Sequence, residues 1–190
     1  MVLLVTAAAL AALGVLTFSG ISHASRPGKF RQLLEQQRVW PPRTRPALLV
    51  GMIGIELLLG LGGLFVLLSG IGPPPLARAV FAAATALFLA YLAFAAYLLR
   101  RRPGAPCACG STSEVVNGWT VAQAGILAAA ALAAAIAPQA VAGPLRPGMY
   151  GFVAAAGGLS LGVILWALPG ALEDPTRRPA DQHARPVEAT

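Results

Sequence analysis

Two cysteines, one acidic residue inside an apolar run and a short basic stretch are the parts of this chain that could do chemistry. Cys107 and Cys109 are its only cysteines, and they sit in Ala105-Pro106-Cys107-Ala108-Cys109-Gly110. Two thiols one residue apart can close a small, strained disulfide or stay a dithiol that exchanges with a partner, and strain makes a disulfide more oxidising. Arg100, Arg101 and Arg102 stand just before them and favour the thiolate, which is the reactive form. Two other readings stay open: a pair of ordinary small loop residues, or half of a soft-metal site. The second lacks a neighbouring His or Cys to complete a tetrahedron, so no metal is expected.

Glu56 is the tenth residue of an otherwise uncharged run. A central carboxylate costs a membrane helix roughly 2.5–3.5 kcal/mol, so it must face the interior of a bundle. There it can serve as a proton acceptor or ligand carboxylate, or as a polar clamp between helices. Arg26, Lys29 and Arg31 interleave with Phe30, Leu33 and Leu34 in the connector before that run. The pattern fits a short amphipathic helix on an anionic membrane surface or against a partner, and equally a plain topology signal. His23 and His183 are read as solvated. No phosphate loop, paired carboxylates or Ser-His-Asp set can be assembled from the remainder.

The elements that must position these residues are set by composition. Of 190 residues, 57% are hydrophobic and 11% charged, and mean hydropathy is +0.71. Soluble domains carry roughly a quarter charged residues, so a soluble enzyme, a disordered chain and a coiled coil are excluded. The net charge of +7 does not point to nucleic acid, because the basic residues lie between apolar runs, where they set membrane orientation. The expected fold is all-α: a polytopic membrane bundle of about five helices over 1–170, near 2–22, 47–70, 78–99, 119–138 and 149–169. A disordered cytoplasmic tail follows over 171–190. Ser22-His23-Ala24 has the spacing of a signal-peptide cleavage site. The first run is longer than a signal core, with nothing basic before it, so a retained helix is expected.

Small residues at Gly51, Gly54, Gly60, Gly62 and Gly63, and the Gly158–Gly162 pair, permit close helix contact. Trp40, Trp119 and Trp166 fall where interfacial anchors belong. With five spans, alternate connectors hold twelve Lys and Arg on one side and two on the other. This predicts a multi-pass inner (plasma) membrane protein with its N-terminus outside and its C-terminus cytoplasmic. A four-span arrangement would mix the two sides. The same count puts Cys107 and Cys109 at the cytoplasmic edge.

A first span, a basic stretch with Lys29-Phe30, a second span reading Gly54-Ile55-Glu56-Leu57-Leu58-Leu59-Gly60, and a third leading into Cys107-Ala108-Cys109-Gly110 together resemble the MauE family. These are the methylamine-utilisation membrane proteins, related to the broader DoxX-like group, whose core has four helices. The resemblance covers about residues 1–140. The family often carries a Phe between the second Cys and the Gly, which this chain lacks. The resemblance implies a role beside thioredoxin-like proteins in maturing exported, disulfide-rich proteins, the named case being the small subunit of methylamine dehydrogenase. It casts Cys107 and Cys109 as the exchanging pair and Glu56 as the intramembrane carboxylate. The plan also looks like that of membrane thiol oxidoreductases that hand electrons to quinone, which makes quinone the one cofactor to consider. A non-catalytic scaffold for a thioredoxin-like partner and a small proton-coupled transporter are the alternatives. Exported substrates and cytoplasmic cysteines pull in opposite directions, since cytosolic thiols are kept reduced. Either reductant enters from inside and passes through a partner or quinone, or the loop folds into the bundle, or the cysteines are not redox-active.

Overall fold

The computed structural model describes residues 2–69, 74–106, 115–138 and 149–171. Among them are six α-helices: α1 (Val2–Ser25), α2 (Pro27–Gln37), α3 (Arg45–Ser69), α4 (Pro74–Arg101), α5 (Gly118–Ile136) and α6 (Met149–Ala171). Four of these, α1, α3, α4 and α5, are long and apolar enough to cross a membrane. The chain is an all-α membrane bundle, as its uncharged runs require.

Local chemistry sets the helix ends. Pro27 opens α2, where its missing N–H costs nothing, and Arg38 closes it in the left-handed conformation (φ 50°). The proline run after α3 also starts the next helix, because α4 begins at Pro74 rather than near residue 78. Proline is tolerated in a first helical turn. Asn117 caps α5: its side chain accepts from the Thr120 N–H at 3.0 Å, and Thr120 Oγ1 accepts from the Asn117 N–H at 3.4 Å. Such a reciprocal pair satisfies two otherwise orphaned donors.

The helix α1 is the most enclosed span and packs against α3, α5 and α6, while α4 pairs with α5. Small residues let these axes approach. A Cβ on Gly60 would fall 2.7 Å from the Thr17 backbone nitrogen, and one on Gly158 2.8 Å from the Ala7 carbonyl oxygen. Buried alanines (Ala84, Ala128, Ala131) fill the centre around Leu16, Phe88 and Leu127. Not every glycine of α3 serves this purpose. Gly51, Gly54 and Gly62 have nothing within 4 Å of a built Cβ, so within α3 the close-contact expectation holds for Gly60 and Gly63 alone, while the Gly158–Gly162 pair of α6 meets α1 as expected.

The connector helix α2 lies at the end of the bundle where α1 and α4 finish and α3 and α5 begin. Its Phe30, Leu33 and Leu34 pack on Trp40, Leu49, Met52 and Ile53. Arg26, Lys29 and Arg31 are on the exposed side.

Candidate functional site: a buried carboxylate cluster beneath the connector helix

Ser19 and His23 are four residues apart on α1 and therefore share a face. That face meets Glu56 of α3 and Tyr91 of α4. The Ser19 hydroxyl donates to Glu56 Oε1 at 3.0 Å, and the Tyr91 hydroxyl donates to the same oxygen at 2.7 Å. His23 Nδ1 and Glu56 Oε2 share a hydrogen bond of 2.9 Å. Glu56 is 1% exposed and His23 5%. The carboxylate that the sequence places mid-helix is thus fully partnered inside the protein, as the cost of an unpaired one demands.

His23 is not solvated, contrary to the sequence reading. The connector folds back over the end of α1 and lays Phe30 on the imidazole, with ring centroids 4.0 Å apart and planes within 8°. The sequence reading also missed Ser19 and Tyr91. The available signal was the i, i+4 spacing of Ser19 and His23, together with the donors a buried carboxylate requires.

Glu56 is eleven residues beyond Arg45 and Tyr91 ten before Arg101, which sets these two side chains about 15 Å from the ends of their own helices at a rise of about 1.5 Å per residue, while Ser19 and His23 reach them from the last two turns of α1. Chemically, the bond between Oε2 and Nδ1 contains one proton whether the pair is ionic or neutral. Two hydroxyls fix the other carboxylate oxygen. Such an arrangement can hold a proton, or clamp three helices.

Cys107 and Cys109 lie outside the described residues, as do His183 and the tail. The residues on either side of the cysteine segment are described. Pro106 and Val115 pair as an isolated antiparallel bridge, and the Val116 N–H donates to the Ala105 carbonyl at 3.0 Å. Gln37, the last residue of α2, donates from Nε2 to the Pro106 carbonyl at 3.1 Å. Its Oε1 is buried and has no hydrogen-bond partner among the described residues. Val39, Phe94 and Val121 pack around Ala95, Leu98 and Val116 to support this frame. Gln37 and Phe30 are seven residues apart on one face of α2, so a single short helix touches both the carboxylate cluster and the base of the cysteine segment. Among the described residues no group of His, Cys, Asp or Glu could hold a metal ion.

The family model described as methylamine utilisation protein MauE matches residues 1–137. No curated protein and no solved structure matches the chain.

Proposed function

This chain belongs to the MauE family, an integral membrane protein of the methylamine-utilisation type, and from that premise we propose that it is the membrane component of a thiol–disulfide pathway that matures an exported protein. Cys107 and Cys109 are the exchanging pair. A thiolate of one attacks the disulfide of a thioredoxin-like partner, expelling one partner thiolate and forming a mixed disulfide. The second cysteine then attacks its neighbour's sulfur, releasing the partner as a dithiol and leaving the Cys107–Cys109 disulfide. Two electrons pass from this protein to the partner, or the reverse when the partner arrives reduced.

The observation that supports this reading is the frame at Pro106 and Val115. The bridge and the Gln37 bond hold both ends of the eight-residue segment 107–114 together against the bundle. A segment whose two ends are tied together suits exchange with a soluble partner better than one with free ends does. The basic groups Arg26, Lys29 and Arg31 on the outer side of α2 offer that partner, or the lipid surface, a cationic neighbour.

Three experiments test the reading. A Cys109→Ser variant is expected to trap a mixed disulfide with a thioredoxin-like protein, visible as a reductant-sensitive mass shift. Unchanged oxidation of exported substrates in the Cys107→Ser/Cys109→Ser double variant would sink it and leave the scaffold role. In that case, neutralising Arg26, Lys29 and Arg31 should do more damage than removing the cysteines. An impermeant maleimide on intact cells tests the orientation: protection until permeabilisation is expected for cysteines on the cytoplasmic side.

The enclosed Glu56–His23 pair favours a second role in the same protein, that of a proton-holding site. Uptake by proteoliposomes that disappears in Glu56→Gln would support a transporter. Equal proton flux with and without the carboxylate retires that idea.

A further inference from the structure

Between the start of α2 and the start of α3 lies a groove of about 310 Å³, lined by Pro27, Gly28 and Arg31 from one helix and by Arg45, Leu49 and Val50 from the other. We propose that this groove binds the headgroup of an anionic glycerophospholipid, with the phosphate between Arg31 and Arg45 and an acyl chain running down Leu49 and Val50.

Each guanidinium is already oriented through its Nε. Arg31 donates from Nε to Glu35 Oε1 at 3.1 Å, and Arg45 donates from Nε to the Trp40 carbonyl at 3.1 Å. Anchoring through Nε leaves the terminal nitrogens as the donors that suit a phosphate. Gly28, in the first turn of α2, lines the same groove as the two arginines. No side chain caps this helix end, and a Cβ on Gly28 would meet nothing within 4 Å. The positive end of the helix dipole adds to the two cations.

The other wall of the groove identifies the anion as a lipid. Arg45 is the first residue of an apolar span that runs to Leu68, so the guanidinium stands at the level where a bilayer's phosphates lie. Five residues deeper, Val50 is 69% exposed on the outside of the bundle, in the position of an acyl chain. A free phosphate would use the arginines and leave the apolar wall without purpose. A zwitterionic lipid would bring its own cation against two guanidiniums.

The test uses the full chain in a neutral detergent, titrated with solubilised phosphatidylglycerol, phosphatidylcholine or inorganic phosphate. Saturable binding of phosphatidylglycerol is expected, with phosphatidylcholine at least about tenfold weaker and millimolar phosphate unable to compete. A basic side chain at an anionic surface contributes about 1 kcal/mol, or about fivefold, so Arg31→Gln/Arg45→Gln should weaken phosphatidylglycerol binding about 30-fold. Arg100→Gln/Arg101→Gln removes the same charge outside the groove and should change it less than about twofold. Gly28→Asp guards against a folding artefact: the site has room for the side chain, and an acid in a first turn suits the helix, yet it repels a phosphate. Its melting temperature should hold while phosphatidylglycerol binding falls. Equal losses in the two arginine pairs would show diffuse surface charge and overturn the proposal, and displacement by inorganic phosphate would reassign the groove to a soluble anion.

Discussion

Phe30 lies flat on the imidazole of His23, 4.0 Å between centroids, and this stacking is what encloses the hydrogen bond between His23 and Glu56. Phe30 belongs to α2, outside the spanning helices, so the connector acts as a cover for the carboxylate cluster. Removing the ring should uncover His23 before it disturbs the helices beneath. Phe30→Ala is expected to make His23 react with diethylpyrocarbonate at least about tenfold faster, whereas Phe30→Tyr or Phe30→Trp keeps it protected. The alanine variant also loses packing against Leu49, Met52 and Ile53, at about 3–5 kcal/mol for a buried Phe. The modification rate must therefore be read well below the melting temperature.

The three bonds to Glu56 differ in what their loss should cost. Hydrogen bonds between membrane helices average about 0.6 kcal/mol and reach about 1.7. Tyr91→Phe and Ser19→Ala each remove one donor and leave Oε1 with the other, so each is expected to cost about 0.6–1.7 kcal/mol. Glu56→Ala removes the bonds of Ser19, His23 and Tyr91 to the carboxylate together, and three bonds at the average give about 2 kcal/mol as a floor. Buried pairs in soluble proteins lose about 3–5 when one partner goes. Unfolding by denaturant in mixed micelles should rank Glu56→Ala as the most damaging of the three. Equal losses in all three would mean that the carboxylate is no hub.

The membrane bundle was legible because an uncharged run of some twenty residues has few other uses, and α2 because Phe30, Leu33 and Leu34 recur at helical spacing among charges. Burial of Glu56 followed from the cost of a carboxylate in lipid. Its partners did not. His23 sits two residues before the end of α1 beside a polar connector, and only the fold-back of α2 over it makes the position an interior one. The glycines of α3 were read as equivalent for a similar reason. Gly60 and Gly63 fall four and seven residues after Glu56 and share its inward face, a periodicity the sequence contains. Gly51, Gly54 and Gly62 do not meet a neighbour, and composition alone could not separate the two sets. The cysteine segment lies outside the described residues, so its redox role rests on family membership and on the frame at its base.

That division of the glycines gives opposite expectations for the same substitution. Gly60→Ala would bring a Cβ to 2.5 Å from Thr17 Oγ1 and 2.7 Å from the Thr17 backbone nitrogen, and backbone cannot move aside as a side-chain tip can. The α1–α3 contact must open, and the Ser19 and His23 bonds to Glu56 sit within two turns of it. Overpacking costs about 1–3 kcal/mol, so a loss in that range is expected, accompanied by faster His23 modification. Gly51→Ala meets nothing and gains helix propensity, up to about 1 kcal/mol. Its melting temperature should stay level or rise.

Gln37 offers the sharpest separation of stability from function. Its Nε2 holds the Pro106 carbonyl, while its buried Oε1 has no partner among the described residues. An unsatisfied buried acceptor carries a penalty of about 1–3 kcal/mol, comparable with the about 1 kcal/mol that a made hydrogen bond returns. Gln37→Leu removes both at once, so the stability change should lie within about 1 kcal/mol of zero. The frame around the cysteine segment nevertheless loses its hydrogen bond to α2, and among the described residues the bridge to Val115 and the Ala105–Val116 bond remain. Maleimide labelling of Cys107 and Cys109 in the reduced, permeabilised protein is expected to speed up several-fold, with the melting temperature nearly unchanged. Unaltered labelling in a stable Gln37→Leu protein would show that the tie does not govern thiol access. The link between α2 and the exchanging pair would then fall, whatever chemistry the cysteines perform.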